Sequence, residues 1–146
     1  MKSLGTSVTI TALLISAVLV APASGNADKN TIVVFVNNSV SVNTLNISEI
    51  RRLFLKERTT MEDGSKAVPV NATAGSPLRK AFNDAVLGMT EADETRYWQE
   101  QKIKKGLTPP PEFNNTQKAV YSLKGGIGYC FESEHIPTVN KVVLKI

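Results

Sequence analysis

The sequence contains one cysteine, one histidine and one tryptophan among 146 residues. A single cysteine excludes a disulfide framework and any zinc module built on cysteines. His135 is the only histidine, which excludes a histidine-based metal cluster and a conventional Ser-His or Cys-His catalytic pair. We therefore predict a protein that is not an enzyme, with no catalytic residues, no metal site and no cofactor.

The charge surplus is small and dispersed. The 17 Lys and Arg against 13 Asp and Glu give a formal net charge of +4. No cluster of basic residues with interleaved aromatic residues is present, so nucleic acid is not expected as a partner. A chain with 42% hydrophobic and 21% charged residues has the composition of a globular protein, and its length fits one domain.

Long apolar runs are also missing, apart from one near the start. Lys2 precedes a run from Val8 to Val20, and small, turn-forming residues follow it from Ala21 to Ala27. This three-part pattern is typical of a secretory signal peptide, because 13 residues are too few to cross ~30 Å of hydrocarbon as a helix. We predict a signal peptide at 1–27, a single domain at 28–146, a periplasmic location and no membrane embedding after cleavage.

Local patterns in the mature chain predict alternating strands and helices. Strands are predicted at 32–36, 67–70, 127–131 and 139–146, and helices after Asn46, after Ser76, from Thr90 to Gly106, and at 116–123. Short apolar strands that alternate with helices favour an α/β protein, a three-layer α/β/α sandwich with a mixed, partly parallel sheet. Trp98 and Cys130 are predicted to be buried.

The best candidate site is the turn from Gly75 to Arg79, which a predicted strand enters and a predicted helix leaves. Free N–H groups and the positive end of the helix dipole make such a turn attractive to anions. Ser76 can cap the helix or donate its hydroxyl, and the cations of Arg79 and Lys80 oppose the dipole. An ordinary capped helix, with its basic side chains in water, explains the same residues, so both interpretations stay open.

Three segments resemble motifs of the phosphate-transport substrate-binding proteins. The segment from Leu45 to Leu55 is similar to their "Leu-Ser-x-x-Glu-Ile-x-x-Ile-Phe-x-Gly" helix. Val68-Pro69-Val70, followed by Gly75-Ser76 and Phe82, resembles their strand and "Gly-Ser-Gly-Thr" turn. The run Gly125-Gly126-Ile127-Gly128-Tyr129 is similar to their "Pro-Gly-Ala-Ile-Gly-Tyr" entry to a strand. The order and spacing agree over most of 32–131.

The sequence departs from the family's pattern at the turn itself. In the family the serine, the second glycine and the threonine bind phosphate, and an arginine three residues before the turn pairs with it. Ser76 matches the serine of the family. Pro77 and Leu78 replace the second glycine and the threonine, and Ala72 replaces the arginine. Pro77 has no N–H to donate, and we expect Arg79 to replace the missing cation only in part.

The resemblance implies a single lobe of the type II periplasmic-binding-protein fold. It also implies a binding protein for phosphate or a similar small oxyanion, held weakly by Gly75, Ser76, Leu78 and Arg79. The alternative is an adaptor of the cell envelope, which has kept the lobe, lost the ligand and engages a protein partner.

Overall fold

The computed structural model describes residues 30–146, so the predicted signal peptide at 1–27 lies outside the described residues. The strands are β1 (Ile32–Val36), β2 (Val68–Pro69), β3 (Asn71–Ala72), β4 (Glu112–Phe113), β5 (Gly126–Phe131) and β6 (Lys141–Lys145). The helices are α1 (Ile47–Phe54), α2 (Pro77–Phe82), α3 (Glu91–Lys105) and α4 (Thr116–Ser122).

The central sheet has the strand order β2-β5-β1-β6. β1 runs antiparallel to both neighbours, with Val34 opposite Tyr129 on one side and Leu144 on the other. β2 pairs with β5 in parallel. The sheet is therefore mixed and partly parallel, as predicted, and Pro69 lies on an edge strand, where the missing N–H costs no hydrogen bond within the sheet.

Helices cover both faces of the sheet, so the predicted three-layer arrangement is confirmed. All five residues of β1 are buried. Val34 faces a large core together with residues of α1, α2 and α3, among them Phe54, Phe82 and Trp98. Phe35, one residue on, faces a smaller core that includes Val120 of α4. The sequence of a strand that is buried on both faces is a continuous apolar run, because alternate side chains point to opposite layers.

An aromatic cluster joins the sheet to α1 and α2. The rings of Phe82 and Tyr129 stack with their centroids 3.7 Å apart, and Phe54 packs against both. The Tyr129 hydroxyl accepts a hydrogen bond from the Ala72 N–H at 3.1 Å. These contacts hold the C-terminal end of α2 against the sheet.

The glycines of β5 let α4 lie directly on the sheet. A Cβ added at Gly128 would approach Cγ2 of Val120 to 2.8 Å and Cγ2 of Val70 to 3.1 Å. A Cβ at Gly126 would meet the Leu123 carbonyl oxygen at 2.9 Å. Gly126 and Gly128 are therefore explained by close packing, since only glycine leaves room for the helix.

The predicted helix starts are confirmed, and two features were not predicted. Asn46 and Glu49 form a capping box, with bonds of 2.9 and 2.8 Å. The unpredicted features are a π-helical turn at Asn83–Leu87, which continues α2, and the small parallel pair of β3 with β4. Among residues 30–146, no helix is both long enough and apolar enough to cross a membrane.

Candidate functional site

The turn before α2 has the backbone that the sequence predicted. Ser76 is the N-cap, and its hydroxyl oxygen accepts a hydrogen bond from the Arg79 N–H at 3.1 Å. Pro77 is the first helical residue, and Gly75 has a φ of +77°, a left-handed conformation that favours glycine. Gly75, Ser76, Leu78 and Arg79 are thus adjacent, but their polar groups point to different faces of the turn.

Arg79 points into the protein, away from any anion in solvent. Only 4% of the residue is exposed. Its guanidinium contacts both carboxylate oxygens of Glu94 on α3, with Nη2–Oε1 at 2.6 Å and Nε–Oε2 at 3.3 Å, and Nη1 donates to the Ala72 carbonyl at 2.8 Å. Burial disfavours the charged guanidinium, but the Glu94 carboxylate outweighs it and raises the pKa of Arg79. Arg79 therefore acts as a buried structural cation.

Glu94 is the centre of a buried polar network that the sequence did not reveal. Besides Arg79, it accepts hydrogen bonds from Asn83 Nδ2 at 2.6 Å and from Trp98 Nε1 at 3.4 Å. With the Asn71 amide oriented so that its nitrogen donates to the Tyr129 hydroxyl, its oxygen accepts from Arg79 Nη2 at 3.1 Å. Each charge is thus compensated by several partners, which is what burial of an ion pair requires.

The face of the turn next to α3 is closed to anions by the protein's own carboxylates. The Gly75 N–H donates to Glu91 Oε1 at 2.8 Å, and the Ala74 N–H donates to Glu112 Oε2 at 3.1 Å. A cavity of about 430 Å³ on this face is lined by Glu91, Glu94 and Glu112. An added anion would meet three carboxylates here against two cations, Lys102 and the paired Arg79, and the Gly75 and Ala74 N–H groups are already engaged.

The other face of the turn is open and is lined by several polar residues. A second cavity, of about 450 Å³, is lined by Thr73, Ser76, Leu78, Asn114 and Glu134, among others. The Ser76 hydroxyl hydrogen is free to donate, and within the described part of the chain no acceptor is found for the Leu78 N–H. Among residues 30–146, Glu134 is the only charged residue that lines this cavity.

Cys130 is buried, as predicted, and burial raises the pKa of its thiol to about 12, far from the thiolate form. Within residues 30–146, no group of three or more His, Cys, Asp or Glu side chains is placed to hold a metal ion.

Comparison with known proteins finds matches among solved structures. No protein-family model matches the chain, and no curated protein matches it. Among solved structures, a phosphate ABC transporter substrate-binding protein from Clostridium perfringens, solved with bound phosphate, matches with a TM-score of 0.58 and 19% identity. An ABC-type phosphate transport receptor from Vibrio cholerae matches with 0.59 and 14%, and PstS from Borrelia burgdorferi with 0.59 and 10%.

The chain has the periplasmic-binding-protein fold. Each match covers 77% of this chain but only 43 to 46% of the neighbour. The chain thus spans less than half the length of the solved structures it matches, as predicted for one lobe of a two-lobe protein. At 10 to 19% identity the likeness is one of fold, and the ligand named for these neighbours belongs to them.

Proposed function

We propose that this chain is an exported, non-enzymatic binding protein of the periplasm, which binds phosphate or a similar small oxyanion weakly at the start of α2. One observation carries the proposal: Ser76, with a hydroxyl, and Leu78, whose N–H has no acceptor among the described residues, line the same open cavity at the positive end of a helix. The fold supports it, since one neighbour of the same fold was solved with bound phosphate.

The same geometry explains why binding is weak. Pro77 has no N–H, the amide of Gly75 is engaged by Glu91, and the guanidinium of Arg79 is engaged by Glu94. An anion in the open cavity therefore meets no cation and remains partly in water, where each contact contributes less. We expect a dissociation constant no tighter than ~10 μM–1 mM, which corresponds to about 4–7 kcal/mol.

Two substitutions at Ser76 separate the anion site from the helix cap. Asp and Asn both cap helices as well as Ser does, so Ser76→Asp and Ser76→Asn should both fold with nearly unchanged stability. Ser76→Asp adds a negative charge and should abolish phosphate binding, whereas the neutral Ser76→Asn should retain at least part of it. The measurement is calorimetric titration of residues 28–146 with phosphate, with sulfate as competitor. Equal phosphate affinity in wild type and Ser76→Asp would refute the site.

The second candidate function is an envelope adaptor that binds no small ligand. It is favoured by the carboxylates of Glu91 and Glu112, which already occupy amides of the turn. Exposed apolar side chains near α4, Phe113, Tyr121 and Ile136, offer a protein-binding surface. If the wild-type chain does not respond to millimolar phosphate or sulfate, the adaptor becomes the better proposal.

A further inference from the structure

A small cavity lined by cations lies where α1 ends, away from the α2 turn. It has a volume of about 250 Å³, and its charged residues are Lys56, Arg58 and Lys66. The Thr59 residue adds a hydroxyl, and Leu53 and Pro111 contribute to an apolar wall. No acidic residue lines it. Of the cavities described in residues 30–146, this one has the lining best suited to an anion.

The backbone that carries the three cations is held by hydrogen bonds. The Arg58 N–H donates to the Arg52 carbonyl at 3.1 Å, in a turn that closes α1. A short hairpin follows, in which the Ala67 N–H donates to the Thr59 carbonyl at 2.9 Å. The Tyr97 hydroxyl of α3 donates to the Leu55 carbonyl at 2.8 Å, which anchors the end of α1. The cations are therefore presented by a fixed frame, which limits the entropy lost on binding.

None of the three cations has a salt-bridge partner within the described residues. Four other basic residues, Lys80, Arg96, Lys104 and Lys145, each lie within 4.0 Å of a carboxylate oxygen. Arg58 has only a minor effect on the two nearest carboxyls: the Asn46 N–H chiefly lowers the pKa of Glu49, and the Glu49 carboxylate raises the pKa of Glu62 in spite of Arg58. Partial burial lowers the pKa of Lys56, as expected for an ammonium group with no counterion close by.

Lys56 occupies a backbone position that favours glycine. Its φ is +55°, and it is the only non-glycine residue with a positive φ in residues 30–146; the others are glycines, such as Gly88 and Gly106 after α2 and α3. A side chain is strained in this conformation, so a lysine here lowers stability relative to glycine. What the lysine adds is a cation at the mouth of the cavity. A cation also favours the helix C-terminus, so the experiment has to separate these two roles.

We propose that this cavity binds an anionic phosphate group, at a site distinct from the α2 turn. Lys56, Arg58 and Lys66 supply the charge, and Thr59 supplies a hydroxyl donor. The apolar wall, to which Leu53 and Pro111 contribute, accommodates the organic group that carries the phosphate. A soluble phosphorylated compound and the headgroup of an anionic phospholipid share this chemistry.

The decisive variant is Lys56→Gly, measured in a Ser76→Asp background, where the α2 turn is closed to anions. Glycine suits a φ of +55°, so this variant should melt at the same or a higher temperature. Its affinity for inorganic pyrophosphate should fall about tenfold or more, because a charge-assisted contact is lost. Lys66→Gln should weaken binding similarly. Lys105→Gln is the matched control, since it removes an exposed lysine at the end of α3, and it should change nothing.

Two arms of the experiment distinguish the sources of the phosphate group. One is calorimetric titration with pyrophosphate, and the other is sedimentation with phosphatidylglycerol–phosphatidylcholine vesicles, compared with phosphatidylcholine alone. Binding in either arm that is lost in Lys56→Gly but kept in Lys105→Gln supports the proposal and identifies the source. Lack of binding in both arms, or equal binding by Lys56→Gly and the control, would overturn it. Neither result depends on the Ser76 site.

Discussion

At the scale of single residues, the side chain of Arg79 decides what the α2 turn can do. The sequence places a cation in the first turn of a helix, where it opposes the dipole and would attract an anion. The structure turns this side chain inward, where Glu94 binds it at 2.6 Å. Nothing local in the sequence indicates that contact, because Glu94 lies 15 residues further on, in another helix. The expectation that Arg79 replaces the missing anion-binding arginine is therefore not supported by its position.

The buried pair gives Arg79→Ala a large predicted effect. Removing one partner leaves the carboxylate of Glu94 buried without its cation, which should cost about 3–5 kcal/mol of unfolding free energy. Urea denaturation followed by tryptophan fluorescence measures this cost. The exposed Lys80→Ala is the matched control from the same helical turn and should cost less than ~1 kcal/mol. Equal stability of Arg79→Ala and wild type would mean that the ion pair is not formed.

At the scale of elements, local sequence patterns predict the helices and strands well. They do not predict features that depend on tertiary contacts. Caps such as Asn46 and Ser76 determine helix starts through bonds within four residues, so the sequence predicts them. The π-helical turn at Asn83–Leu87 depends on a buried contact instead, since Asn83 Nδ2 donates to Glu94. The β3–β4 pair likewise depends on Pro111, whose carbonyl accepts from the Asn71 N–H at 2.8 Å. No pattern in the local sequence indicates either contact.

The close contact of α4 with β5 can be tested through Gly128. In Gly128→Ala the added methyl group would overlap Val120, so we expect a loss of about 1–3 kcal/mol in unfolding free energy. Combining it with Val120→Ala, which makes room, should cost less than the sum of the two single variants. Thermal or urea denaturation of the two single variants and the double variant gives the coupling. Strict additivity would contradict the packing described for this layer.

At the scale of the whole molecule, the three layers bring the turn before α2 to the surface, and contacts within the protein engage most of its hydrogen-bond donors. The fold could be predicted from the sequence because β1 is apolar on both faces and strands alternate with helices. The chemistry of the turn could not, because Glu91 and Glu112 reach it from α3 and β4, which are distant in sequence. What remains open to an anion is the face with Ser76 and Leu78.

The most direct measurement is NMR of the amide groups in residues 28–146 during titration with phosphate. We expect saturable shifts of the Leu78 amide, with a midpoint no lower than ~10 μM. The Gly75 amide, which donates to Glu91, should change little. Shifts centred on Gly75 and Ala74 would place the anion on the face that we describe as closed. No saturable shift of Leu78 up to millimolar phosphate would contradict oxyanion binding at this turn.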